Sequence, residues 1–316
     1  MSEKKLKICA VIVTYNRKEI LAQCLQGLFT QDYTDFVILI VDNASTDGTQ
    51  EFIASLNAEN LIYLNPGANT GGAGGFYIGM RYAYEHGYDW IWVMDDDTVP
   101  MPSALRELAE HVRFDGNTSY LASAVYSASG DTAMNTPEIS RYATNGYLFW
   151  YEQLEHGMVR LEQATFVSLL INGKAVEKCG LPCRDYFIWG DDIEYTLRIG
   201  RNFGPGYLVG SSKVRHLRAS SARPDIKKET DPARIRLHYY YIRNLLINTK
   251  EYFGKKECRR TKRGYRKECL KIFLKCGKFK FLRIRTILRA ICDFNLGHYA
   301  KDAFERRFEI SGQDET

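Results

Sequence analysis

The sequence predicts an α/β fold: a parallel sheet wound from βαβ units, followed by a basic helical extension. Three observations carry this expectation. Short apolar runs rich in β-branched residues alternate with helix-period segments between residues 7 and 95. Each run ends in polar residues, at Thr14-Tyr15-Asn16, Asp42-Asn43, Asn65-Pro66 and Asp95-Asp96-Asp97. From about residue 233 onward the pattern is helical, and Lys and Arg accumulate.

The elements follow in order. KICAVIVTY, residues 7–15, reads as a strand buried on both faces. Ile20, Leu21, Cys24, Leu25 and Leu28 place one helical stripe on residues 18–29. Phe36–Val41 is a second strand, and Ser45-Thr46-Asp47-Gly48 is a turn and cap signal before a helix near 49–56. Leu61–Leu64 is a third short strand. The glycines at 71, 72, 74 and 75 open a helix over about 76–86, and Trp90–Met94 is a fourth strand. Later strands are expected at 121–126, 165–171 and 207–209, and helices at 174–179 and 191–199. Such parallel sheets bind ligands beyond the carboxyl ends of their strands, where the polar clusters fall. A boundary near residue 232, after Pro224 and Pro232, divides the chain into 1–232, an α/β domain, and 233–316, a helical region.

Composition narrows the function classes. The 316 residues are 45% hydrophobic and 26% charged, which excludes a disordered or fibrous chain. No stretch approaches the ~18 apolar residues of a membrane span, and the N-terminus reads as lacking a signal peptide. The net charge of +5 hides an asymmetry: residues 250–289 hold 16 Lys and Arg against 3 Asp and Glu, while the rest holds 27 against 35. The basic end calls for a polyanion, either a membrane or a nucleic acid. None of the eight cysteines forms a CxxC pair, which argues against structural zinc and for reduced thiols in the cytosol.

Five motifs offer chemistry. Three adjacent carboxylates at Asp95–Asp97 repel one another unless a cation compensates. Extended geometry would put Asp95 and Asp97 on one side, suited to Mg²⁺ or Mn²⁺, and Asp96 on the other. A solvated acidic turn is the alternative. Asp42 could accept from a ribose or a base N–H, or simply form a turn. In Asn69–Phe76 the glycines allow close backbone approach at a helix N-terminus. The spacing fits neither a phosphate-binding GKS/T loop nor GxGxxG, which excludes nucleoside-triphosphatase and NAD functions. Asp191 and Asp192, at a helix start beside Trp189, could cap that helix or supply a general base next to a stacking platform. His216, just after a strand, is either structural or a metal ligand.

Taken in order, VIVTYNR, VDNASTDGT, NTGGAGGF, MDDD, IWGDDIEYTLR, VRH and YYYIRN resemble the family 2 inverting glycosyltransferases of GT-A fold. Galactofuranosyltransferases are the most similar group, with rhamnosyltransferases near, and the resemblance covers about residues 7–247. It implies a Rossmann-like nucleotide-sugar-binding domain in which Thr14, Asn16, Arg17 and Asp42 hold the nucleoside. Asn69 and nearby glycines such as Gly72 would line the donor pocket. Asp95, Asp97 and His216 would bind Mn²⁺ or Mg²⁺, and Asp96 the sugar or ribose. Asp192 would be the catalytic base, Asp191 would orient sugar hydroxyls, and Trp189 would pack on the acceptor. The implied reaction moves galactofuranose from UDP-galactofuranose, or rhamnose from dTDP-rhamnose, to a lipid-linked or cell-surface glycan in polysaccharide or cell-wall synthesis. A non-catalytic membrane-associated module is the alternative from another class. The chain starts at the nucleotide-binding strand, without the extra N-terminal β-domain of the galactofuranan polymerases, so a single-addition enzyme is expected.

The basic tail interleaves cations with Leu270, Phe273, Leu274, Phe281 and Leu282. In it Ile284, Ile287, Leu288 and Ile291 share one helical face. A basic amphipathic helix of this kind reads as an anionic-membrane contact through residues 250–291, with packing on the catalytic domain as the alternative. No nucleic-acid recognition motif accompanies it. The protein is therefore expected to be cytoplasmic and peripheral on the inner face of a bacterial cell membrane.

Overall fold

The computed structural model describes residues 5–112, 116–218, 224–275 and 277–297. The first half follows the alternation read from the sequence: β1 (Ile8–Thr14), α1 (Lys18–Phe29), β2 (Phe36–Asp42), α2 (Thr49–Ser55), β3 (Leu61–Leu64), α3 (Gly71–Glu85) and β4 (Trp90–Asp95). Then come β5 (Thr98–Pro100), α4 (Ala104–His111), β6 (Tyr120–Ser127), β7 (Glu138–Ile139), β8 (Ala143–Thr144), β9 (Tyr147–Leu148) and β10 (Met158–Gln163). The chain continues through β11 (Leu169–Asn172), α5 (Gly173–Cys179), α6 (Asp191–Asn202), β12 (Gly206–His216), α7 (Pro232–Lys275) and α8 (Lys280–Leu296).

One ten-stranded sheet runs β3-β2-β1-β4-β11-β6-β12-β10-β7, with β5 paired to β12. β3, β2, β1 and β4 are parallel; β11 runs against β4 and starts the mixed half. Period-2 alternation sorts the two faces. Ile8, Ala10 and Ile12 pack with Leu21, Leu25, Leu105 and Leu108 on the face covered by α1 and α4. Cys9, Val11 and Val13 pack with Met80, Ala83, Val176 and Ile199 on the face covered by α3, α5 and α6. A third core joins α7 and α8 to Ala73, Cys183 and Tyr186.

Four expectations change. α3 starts at Gly71, five residues before the expected Phe76, because its glycines are packing sites. A Cβ at Gly75 would lie 2.4 Å from Val13 Cγ1, and one at Gly79 2.3 Å from Val11 Cγ1, so the helix rests its backbone directly on β1. The strand expected at 165–171 begins only at Leu169. The strand expected at 207–209 instead extends from Gly206 to His216, with an irregularity between Val209 and Lys213. The acidic triplet is not extended: β4 ends at Asp95, and Asp96 and Asp97 form a turn before β5.

α7 is broken at Gly254 (φ 86°), and no helix among the described residues is long and apolar enough to cross a membrane. The face shared by Ile287 and Ile291, expected to meet a membrane, is buried against α7 together with Ala290 and Phe294. Residues 298–316 of the expected helical region lie outside the described residues. The seven described cysteines are free thiols, and Cys276 lies outside that set.

Candidate active site

Parallel register brings the strand ends together: Thr14 lies opposite Asp42, and Val13 opposite Asp95. Thr14 Oγ1 donates to Asp96 Oδ2 (2.8 Å). Arg17, immediately before α1, reaches across with Nη1 to Asp96 Oδ1 (2.7 Å) and Nη2 to Asp97 Oδ2 (2.9 Å). The sequence reading put Arg17 on the nucleoside and Asp96 on the sugar. In the structure they hold each other, and Arg17 supplies much of the positive charge that the triplet demands. Asp96 is buried, which pushes its carboxyl up to about 6 even against the pull of Arg17 and Thr14.

β5 pairs antiparallel with β12, with Thr98 opposite His216, and this sets the imidazole beside the turn. His216 Nε2 lies 2.9 Å from Asp97 Oδ1, and Nδ1 lies 2.9 Å from Asn135 Oδ1. Asp95, Asp97 and His216 each place one donor atom within 4.8 Å of the others. Burial, followed by the charges of Asp97, Asp96, Asp192 and Asp191, pushes the Asp95 carboxyl well above the usual carboxylate range. Burial acts on Asp97 in the same direction, but His216 and Arg17 outweigh it and hold that carboxyl down at about 2.

These residues suit a divalent cation. Arg17 pairs with Asp96 and Asp97 and not with Asp95, so the most repelled carboxylate has no ion-pair partner in the triplet's own cation. Acceptor oxygens face both imidazole nitrogens. Asn135 thus fixes the ring from the Nδ1 side while Nε2 points into the acidic cluster. Two carboxylates and an imidazole are a donor set for Mn²⁺ or Mg²⁺.

Asp191 and Asp192 are the first two residues of α6. The chain reaches them through a sharp reversal, with positive φ at Phe187 (64°), Trp189 (63°) and Gly190 (91°). Asp192 Oδ1 accepts from Ile193 N–H (2.8 Å). Burial, followed by the Asp192 charge, pushes Asp191 up to about 8, and burial pushes Asp192 to about 6. The two carboxyls titrate as a pair. Asp192 lines a cavity of about 560 Å³ together with Trp189, Asn135, Gln163, Arg218 and Tyr241. Asn135 joins the two parts of the site, because it lines this cavity and also holds His216. A cavity of about 810 Å³ beside Tyr77, Arg81 and Arg184 contains none of these acidic residues.

The remaining expected contacts are distributed differently. Asp42 is fully buried; its Oδ1 accepts from Ser45 N–H (2.9 Å) and its Oδ2 from Tyr63 O–H (2.7 Å). Both carboxylate oxygens of Asp42 are thus engaged within the fold, as in the turn reading. Asn16 ties its loop to the next, with Oδ1 accepting from Thr46 N–H (2.7 Å). Asn69 Oδ1 accepts from Gly71 N–H (2.8 Å). Gly71 (φ 74°) lets the Phe187 carbonyl approach where a Cβ would be 2.1 Å away, and Ala73 N–H donates to that carbonyl (3.1 Å). At least one N–H at the start of α3 therefore serves the loop, whereas Gly72 faces open space.

Three residues on α7 had no role in the sequence reading: Arg243 and Asn244, which end the YYYIRN motif, and Asn248. Asn244 Nδ2 donates to the carbonyls of Tyr186 (3.0 Å), Ile188 (3.2 Å) and Trp189 (2.7 Å). Asn248 Nδ2 donates to Gly190 O (2.8 Å), and its Oδ1 accepts from Tyr186 O–H (2.7 Å). Arg243 donates to Asp185 O (2.8 Å). Tyr252 O–H reaches the buried Glu194 of α6 (2.7 Å), which also pairs with Arg198. The available signal was polar residues falling among Ile235, Ile242 and Leu246 on the buried stripe of a helix.

Comparison with known proteins places this geometry. The model for Glycosyl transferase family 2 matches residues 9–168, half of the chain. Galactofuranosyltransferase GlfT1 of Mycolicibacterium smegmatis is 26% identical over 207 residues, covering 62% of this chain and 66% of that one. GlfT1 of Mycobacterium tuberculosis is 37% identical over 92 residues, covering 28% and 30%, so the chain spans less than two thirds of either relative. The undecaprenyl-phosphate mannosyltransferase of Micrococcus luteus is 34% identical over 110 residues, covering 34% and 45%. In structure, GalNAc-T7 with UDP, GalNAc and Mn²⁺ aligns at a TM-score of 0.59 and 15% identity, covering 96% of this chain and 59% of that one. S. aureus TarS 1–349 with UDP aligns at 0.56 and 14%, covering 96% and 89%. The shared fold is GT-A-like, and with the family model matched across half its length, the chain belongs to glycosyl transferase family 2.

Proposed function

We propose that this protein is an inverting, divalent-metal-dependent glycosyltransferase that moves galactofuranose from UDP-galactofuranose to a lipid-linked glycan. One observation carries the reading: Asp95, Asp97 and His216 converge within 4.8 Å, next to a cavity that Asp192 lines. The mycobacterial relatives support the sugar, the undecaprenyl-phosphate relative supports a lipid-linked acceptor, and the UDP-bound neighbours support the nucleotide.

The chain's own residues divide the work. The strand-end loops at Thr14–Arg17 and Asn69–Gly72 border the donor side, with Asn16 and Asn69 fixing backbone and Arg17 neutralising Asp96 and Asp97. A cation held by Asp95, Asp97 and His216 would stabilise the charge of the departing diphosphate. Asp192 takes the acceptor hydroxyl proton as that oxygen attacks the anomeric carbon, a single displacement that inverts configuration. Asp191, held up at about 8, keeps a proton at neutral pH that can be donated to a sugar hydroxyl. Trp189, edge-on to Tyr241 at 6.0 Å, offers the acceptor an aromatic wall. α7 belongs to the catalytic unit, because its Asn244 and Asn248 hold the Trp189–Gly190 turn. An enzyme with this acceptor works at a membrane surface, and residues 250–291 supply the charge for that.

The test is incubation with UDP-galactofuranose, Mn²⁺ and a polyprenyl-linked acceptor, alongside dTDP-rhamnose and other nucleotide sugars. UDP release that needs both metal and acceptor supports the reading. Turnover with dTDP-rhamnose alone replaces the donor, and no turnover with any nucleotide sugar removes the activity.

A further inference from the structure

Of the four residues on the α8 face that the sequence offered to a membrane, Ile287 and Ile291 are used inside the protein and Leu288 stays exposed, so a surface contact must draw on further residues. Ile287, Ala290, Ile291 and Phe294 are buried against α7. Around the turn between α7 and α8 a different set stands in solvent: Leu270 (60% exposed), Phe273 (52%), Leu274 (71%) and Phe281 (69%). Leu270, Phe273 and Leu274 follow i, i+3, i+4 spacing and share one helical face. Lys280 Nζ lies 5.3 Å from the Phe273 ring and 5.2 Å from the Phe281 ring, so the two aromatics form one patch from two helices.

The charge around the patch has one sign. Arg266, Lys267, Lys271, Lys275, Lys278 and Arg285 are exposed. Glu268 is the single acidic residue from 266 to 285, and Lys227 already neutralises it at 2.7 Å. Arg283 is excluded from this set, because it is buried and donates to the carbonyls of Ile226 and Glu229.

We propose that the tip of the α7–α8 hairpin docks on an anionic bilayer. Leu270, Phe273, Leu274 and Phe281 enter the headgroup boundary, and the surrounding lysines and arginines sit on lipid phosphates. Amphipathic surfaces bind membranes by this combination of apolar burial and cationic attraction. A second copy of the chain is a poor occupant, since joining two such tips would press cations against cations. The same helix, broken at Gly254, also reaches the site. Before Gly254, α7 contributes Tyr241, Leu245, Thr249 and Phe253 to the cavity that Asp192 lines. After Gly254 it carries the tip about 30 Å away, at 1.5 Å per residue. The proposed function enters only in choosing a lipid surface among polyanions, and the docking is measured without any sugar.

The test is co-sedimentation of the full chain with vesicles of phosphatidylcholine alone and of phosphatidylcholine mixed with phosphatidylglycerol. The mixed vesicles should bind at least about tenfold more tightly, with affinity falling as salt rises. Joint Phe273→Ser and Phe281→Ser substitution should weaken binding about tenfold, and so should joint Lys271→Glu and Lys275→Glu. Because these side chains are exposed, circular dichroism and turnover on a soluble acceptor should match the wild type. Equal binding to neutral vesicles, or unchanged binding by the Phe273/Phe281 variant, overturns the proposal. So does displacement of the protein from vesicles by duplex DNA, or a wild-type dimer that this variant splits without any vesicle binding. Lost docking with intact turnover rejects this inference alone; intact docking without turnover rejects the proposed function alone.

Discussion

Replacing Asn244 with alanine tests whether α7 is part of the catalytic apparatus or a helix that merely packs on it. The side-chain amide donates to three carbonyls of the loop that delivers Trp189, Gly190 and Asp191, at 3.0, 3.2 and 2.7 Å. Alanine removes all three bonds, one to a buried carbonyl and two to half-buried ones. The Tyr186 carbonyl keeps bonds from Ile188 N–H and Arg243, whereas those of Ile188 and Trp189 lose the donor described here. Leaving a buried acceptor unmet costs about 1–3 kcal/mol, and for two half-buried ones, which water partly serves, the loss is about 1–3 kcal/mol in all. For a chain of this size the midpoint of thermal unfolding should fall by several degrees. Trp189 sits at a positive φ of 63°, which the carbonyl bonds help to hold. Without them the turn relaxes, and Asp192 moves relative to the metal cluster. A displacement near 1 Å can cost about a hundredfold in rate. The assay pairs differential scanning fluorimetry with steady-state kinetics and UDP titration. We expect kcat to fall at least about tenfold, with UDP affinity kept within about twofold, because Thr14, Arg17 and Asp96 do not touch Asn244. Asn244→Asp, which keeps the size and the acceptor toward Arg243 but loses the donors, should behave like alanine. A drop in melting temperature with wild-type kcat would refute the positioning role. Equal loss of kcat and UDP affinity would point to general unfolding instead.

Asp192→Asn should retain UDP and metal binding and lose about 10²–10⁴ in transfer rate, the span of general-base catalysis; wild-type turnover would remove the base assignment. Asp97→Ala takes away one of the three clustered donors and the partner of His216, so Mn²⁺-dependent UDP binding, followed by calorimetry, should weaken at least about tenfold. An unchanged Mn²⁺ requirement would place the metal elsewhere. Asp191 and Asp192 are raised to about 8 and about 6 in the fold, so the native state binds more protons than the unfolded chain above the ordinary carboxylate range. Their contribution is fully present near pH 4 and is lost as pH rises toward 8; Asp97, held at about 2, acts only below that window. The metal-free protein should therefore melt lower at pH 8 than at pH 5.5, and the double variant Asp191→Asn with Asp192→Asn should flatten the dependence. A slope unchanged in that variant would contradict the assignment. Below pH 6 turnover should decline as Asp192 takes up its proton.

The parallel half of the fold was legible because its information is local. Each strand from β1 to β4 is a short run of β-branched and apolar residues, and each helix between them carries its own 3.6-residue stripe. The acidic cluster was legible for a related reason: topology forces strand ends to one edge, so polar residues that terminate strands share it. Sequence order could not decide which neighbour each carboxylate meets. Arg17 and Asp97 are separated by 80 positions, and only the adjacency of β1 and β4 joins them. Asp42 could be read as a ligand contact or a turn residue, and its bond from Tyr63 exists only because β3 lies against β2. The Ile287 face looked free for a membrane because hydrophobic periodicity records that a helix face is apolar and not what covers it. For α8 the cover is α7, and the same packing left Phe273 and Phe281 outside. Residue types and their spacing therefore determined the parallel half of the sheet and the edge at which the acidic residues gather. Tertiary packing alone decided their pairings, the Asn244 clamp on the Trp189 turn and the surface left in water, because these depend on contacts between segments that are far apart in the chain.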